Sequence, residues 1–68
     1  MKLGDAQIKL VSHKFFAGIM DKNGTVQPMD VNEARDSLQA LGYELLEEAN
    51  ENGATIEIWE LPKAKRLP

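Results

Sequence analysis

The chain has 68 residues, no cysteine and a single histidine, so disulfide staples, thiolate metal sites and multi-histidine zinc sites are excluded. Its formal net charge is −3, with 43% hydrophobic and 28% charged residues, a globular rather than a disordered balance. No apolar run approaches the roughly 20 residues needed to span a bilayer, and Met1-Lys2-Leu3-Gly4-Asp5 lacks the apolar h-region of a signal peptide, so a cytoplasmic protein is expected.

Charge is segregated along the sequence. Residues 1–22 carry Lys2, Lys9, Lys14 and Lys22 against Asp5 and Asp21. Residues 23–60 carry nine acids against Arg35 alone, a net −8. Lys63, Lys65 and Arg66 make the C-terminal end basic. Such segregation steers association toward oppositely charged partners.

The elements follow in order. A long strand is expected from about Gln7 to Asp21, with a bend near Ser12-His13 or at Gly18. Asp21-Lys22-Asn23-Gly24 is a turn of the G1-bulge kind, which sets Asp21 opposite Thr25 and Met20 opposite Val26. The strand after it, Thr25 to Met29, contains Pro28 and is confined to an edge or a bulge. Asp30 caps a helix with Glu33 at capping-box spacing. Val31, Ala34, Leu38 and Leu41 form its apolar stripe, and Gly42 ends it.

A second hairpin turns at Glu51-Asn52-Gly53. With a G1 bulge there too, Asn50 opposes Ala54, Glu48 opposes Ile56, Leu46 opposes Ile58, Leu45 opposes Trp59 and Tyr43 opposes Leu61. The strand Ala54 to Leu61 is apolar on both faces: Ile56 and Ile58 point one way, Trp59 and Leu61 the other.

The order β-β-α-β-β predicts an α+β fold, a four-stranded antiparallel sheet with one helix packed on one face. Residues 1–62 form the single domain and 63–68 a mobile basic tail. If Ile56 and Ile58 face the helix, Tyr43, Leu45, Trp59 and Leu61 are left on the open face as an interface, with Trp and Tyr as its anchors.

No catalytic motif is present. His13 has no nucleophile or carboxylate at a telling spacing, and no phosphate-binding glycine loop occurs, so no enzyme and no cofactor are expected. Glu44, Glu47, Glu48, Glu51, Glu57 and Glu60 crowd the second hairpin. As a solvated face they would discourage edge pairing. As a functional surface they would imitate a phosphate backbone and dock on a basic protein. A divalent-cation site is the third role, but no EF-hand spacing exists.

The function expected is therefore a small protein-binding module acting stoichiometrically, homo-oligomeric, with a partner of basic surface. An inhibitor of nucleic-acid-handling machinery, of the kind phages and mobile elements encode, has this size and charge. The alternative is a small nucleic-acid-binding protein using Lys9, Lys14, Phe15 and the basic tail. The −8 segment opposes a large nucleic-acid footprint.

Overall fold

The computed structural model describes residues 3, 4 and 6–65. Its elements are β1 (Gln7–His13), β2 (Phe16–Met20), β3 (Val26–Pro28), α1 (Val31–Ala40), β4 (Glu44–Glu51), β5 (Ala54–Glu60) and a 3-10 turn, Lys63–Lys65. The class is α+β with an antiparallel sheet, as the pattern predicts. The sheet has five strands, not four, in the order β3-β2-β1-β5-β4.

The extra strand arises where a bend is expected. The long first strand reverses completely at Lys14-Phe15, so that His13 pairs with Phe16 and Leu10 with Ile19. Neither turn residue is a glycine, asparagine or proline. The reversal is held instead by His13, whose Nδ1 accepts from the Phe15 amide at 3.0 Å.

The next hairpin follows its sequence signal. Met20 pairs with Val26, and the Asp21 amide donates to the Thr25 carbonyl at 3.1 Å. The Asp21 carboxylate accepts from the Asn23 and Thr25 amides. Pro28 lies on the short edge strand β3, where a missing N–H costs no ladder bond.

Helix α1 starts on Asp30, whose Oδ2 accepts from the Asn32 and Glu33 amides at 3.1 and 3.4 Å. It ends in a Schellman motif. Gly42 takes φ +92°, its amide donates to the Gln39 carbonyl, and the Tyr43 amide reaches back to Leu38. Of the expected stripe, Ala34 and Leu38 are buried and Val31 is half-buried. Leu41 lies past the last turn and is 69% exposed.

The β4–β5 turn is tighter than expected. Asn52 (φ 52°) and Gly53 (φ 82°) form a two-residue turn of type I′ geometry, so Glu51 pairs with Ala54 and Asn50 with Thr55. A register shift between Leu45 and Glu47 then restores the expected pairing of Leu45 with Trp59. Between turn and bulge every pair is one residue off the expected register: Glu48 faces Glu57, and Glu47 faces Ile58.

The core is one cluster of Leu10, Ala34, Leu38 and Trp59, with Ile8, Ile19, Met29, Val31 and Tyr43 packed around it. The helix covers β1 and β2 and reaches β5 through Arg35. Strand β4 lies beyond it, and all eight of its residues are exposed.

Candidate functional site

The expected interface residues lie on the helix side of the sheet. Ile8 pairs with Trp59 and Leu10 with Glu57, which puts Trp59 and Glu57 on the face that carries Leu10. Trp59 is 5% exposed among Leu10, Ala34 and Leu38, and Tyr43 packs against the same cluster. Leu45 shares that side but sits on β4, outside the helix's reach, and is 49% exposed. Leu61 is half-buried past the end of β5, its amide donating to the Ala6 carbonyl. The side assignment is thus the reverse of expectation: Ile56 and Ile58, not Trp59, face away from the helix. The largest apolar side chain goes into the core with Leu10, Ala34 and Leu38, and the rest of its strand follows.

The six expected carboxylates separate. Glu44, Glu47, Glu48 and Glu51 are exposed along β4. Glu60 is half-buried and accepts from Gln7 Nε2 at 3.3 Å. Glu57 is 3% exposed on the core side. Arg35 grips it with Nε at 3.3 Å and a terminal guanidinium nitrogen at 2.7 Å, and Trp59 Nε1 donates to it at 3.0 Å. Burial pushes the Glu57 carboxyl up, but the hydrogen bonds from Arg35 and Trp59 and the Arg35 charge outweigh it. The group is held below the usual carboxylate range. Arg35 is raised in turn, chiefly by its bond to Glu57. The sequence holds one signal for this pair, because Arg35 is the lone cation among nine acids in residues 23–60.

The face opposite the helix is ordered in rows across the strands. One row runs Val26, Met20, Lys9, Ile58, Glu47. The next runs Pro28, Gly18, Val11, Ile56, Ala49. Beyond these, His13 on β1 and Glu51 on β4 flank the start of β5. No described element lies over this face. Ile58 is nevertheless only 4% exposed, flanked by Lys9 on β1 and Glu47 on β4. Lys9, Glu47, Ala49, Glu51, Ile56 and Ile58 line a shallow cavity of about 130 Å³. At the β2 end the Phe16 ring covers Gly18, so close that a Cβ there would lie 2.9 Å from Phe16 Cζ.

The Lys14-Phe15 tip is a separate surface. Phe15 is 84% exposed, the Lys14 ammonium stands 5.5 Å from its ring centroid, and His13 meets it edge-on at 6.4 Å. Neither phenylalanine joins the core: Phe15 lies in the turn, and Phe16, at the start of β2, is 37% exposed. Lys63–Lys65 form the 3-10 turn, and Arg66 lies outside the described residues.

Among the described residues no three histidine or acidic side chains could together hold a metal ion, and no helix is long and apolar enough to cross a membrane. No protein-family model matches the sequence, and neither a curated protein nor a solved structure matches it.

Proposed function

We propose that this chain is a non-enzymatic protein-binding module, acting stoichiometrically in the cytosol by docking the acidic edge strand β4 on a basic surface of another protein. One observation carries the reading: β4 is an eight-residue edge strand, exposed at every position, with Glu44, Glu47, Glu48 and Glu51 along it. An edge offers main-chain donors and acceptors to an incoming strand or loop. Its carboxylates repel acidic strands and draw basic ones, over a range of about 10 Å at 0.1 M salt. Basic surfaces of that kind mark nucleic-acid-handling proteins, and a module seated there acts as an inhibitor by occupying the groove.

The test is a pull-down from lysate with the immobilised chain, in low and high salt, beside the variant Glu44→Lys/Glu48→Lys. Captured proteins should be basic, and should be lost both in high salt and with the charge-reversed variant. Capture unaffected by reversal overturns the reading.

The aromatic tip favours a second reading, a nucleic-acid contact. Phe15 is free to stack on an unpaired base beside the Lys14 charge. A gel shift with single-stranded RNA and DNA at low salt, lost in Phe15→Ala, supports it; no shift removes it.

A further inference from the structure

The uncovered sheet face carries a charge pattern with a symmetry of its own. Strand β5 runs up its middle, with β1 on one side and β4 on the other. Along β5, Ile58 is flanked by Lys9 on β1 and Glu47 on β4, and Ile56 by Val11 and Ala49. One row further, just past the last β1–β5 pair of Ser12 with Thr55, are His13 at the end of β1 and Glu51, which pairs with Ala54. On the β1 side the polar groups are donors; on the β4 side they are carboxylates.

We infer that this face binds a second copy of the chain about a two-fold axis running along β5. Rotation about that line exchanges the β1 and β4 sides of the facing sheet. Lys9 of one copy then lies over Glu47 of the other, and His13 over Glu51, each pair occurring twice. Ile56, half-buried in one chain, meets its own copy on the axis, Ile58 lies already buried beneath the Lys9 and Glu47 pairs, and Val11 meets Ala49. Packed sheets stand about 10 Å apart, a gap that a lysine and a glutamate reaching from opposite sides close. His13 Nδ1 accepts from the Phe15 amide, which leaves the proton of the neutral ring on Nε2 as a donor.

The pattern favours a second copy over an unrelated partner. An unrelated surface needs only an apolar patch and a charge somewhere on the rim. It gives no reason for a donor on β1 and a carboxylate on β4 to flank one strand on either side of the apolar row Val11, Ile56, Ala49. Glu60, at the end of β5, is the carboxylate this axis brings near its own copy, and Gln7 already donates to it. A thin 68-residue core gains from the added burial. The dimer takes up Glu47 and Glu51 but leaves the outer backbone edge of β4 and Glu48 facing away, so the inference goes beyond the docking edge and does not depend on it.

Charge exchange tests it. Light scattering of the wild type at micromolar concentration should give twice the 7.6 kDa chain mass. Lys9→Glu alone and Glu47→Lys alone each oppose like charges twice per dimer, and each should raise the dissociation constant by about a hundredfold or more. Mixed one to one, the two variants should dimerise again, because each then meets an opposite charge at both sites. Contacts within one chain are untouched by mixing, so a purely structural role for Lys9 or Glu47 cannot produce that rescue. Circular dichroism checks that each variant folds. Should either fail to fold, Ile56→Cys serves instead: in a chain with no native cysteine, a short bismaleimide should link the two on-axis residues into a dimer. The inference is overturned by a wild type that stays at 7.6 kDa, by a mixture of folded variants that stays monomeric, or by an Ile56→Cys chain that does not cross-link.

Discussion

Replacing Arg35 with methionine should destabilise the protein most at neutral pH and least in acid. Glu57 is 3% exposed, and its carboxylate is held by two bonds from Arg35 and one from Trp59. Removing one partner of a buried pair costs about 3–5 kcal/mol, because a charge is left without compensation. The Arg35 side chain is 39% exposed, so water replaces part of what is lost, and about 2–3 kcal/mol is the working figure. A chain of this size has about 3–10 kcal/mol of stability at roughly 0.05–0.15 kcal/mol per residue, so the loss is large. With a urea slope of about 1 kcal/mol per molar, the midpoint falls by about 2–3 M. Trp59 is the only tryptophan and is buried, so its fluorescence reports the transition.

The pH dependence carries the stronger test. In the wild type the Glu57 carboxyl is held below its unfolded value, so its contribution is present above that value and disappears as pH falls through the folded one. In Arg35→Met, burial is the dominant influence left, and the folded group binds a proton more readily than the unfolded one. Its contribution is then favourable in acid and lost as pH rises. The midpoint gap between wild type and variant should therefore narrow from pH 7 toward pH 4. Arg35→Met/Glu57→Gln should recover about 1–2 kcal/mol at pH 7, since a neutral amide still accepts from Trp59. A gap independent of pH, or a double variant no better than the single, refutes the account.

Trp59→Ala should leave the chain largely unfolded by circular dichroism, because truncating a core tryptophan costs about 3–5 kcal/mol; a folded variant means that Trp59 is not core. Asp30→Ala should cost about 1 kcal/mol in urea denaturation, through loss of the cap to Asn32 and Glu33; an unchanged midpoint moves the helix start. Gly18→Ala should cost about 1–3 kcal/mol, since the new Cβ lies 2.9 Å from the Gln27 carbonyl as well as from the Phe16 ring; an unchanged urea midpoint shows that β3 gives way freely.

Much of the local structure was legible in the residues themselves. Asp30 and Gly42 bound the helix because a cap acceptor and a left-handed residue act within a few residues of chain. The Asp21–Gly24 turn and the edge placement of Pro28 follow from equally short-range geometry. The two-faced apolar strand Ala54–Leu61 was visible too, since alternation is a property of one strand. Three things needed the tertiary structure. The reversal at Lys14-Phe15 has no turn residue to announce it and rests on the His13 side chain. The register of β4 against β5 depends on a type I′ turn and a compensating bulge, and a single-residue slip exchanges every facing pair. Which face of β5 meets the helix was settled by contacts distant in sequence: Trp59 against Leu10, Ala34 and Leu38, and Glu57 against Arg35. Periodicity shows that a strand has two apolar faces; only packing volume and the pairing of a buried charge decide which one becomes the core.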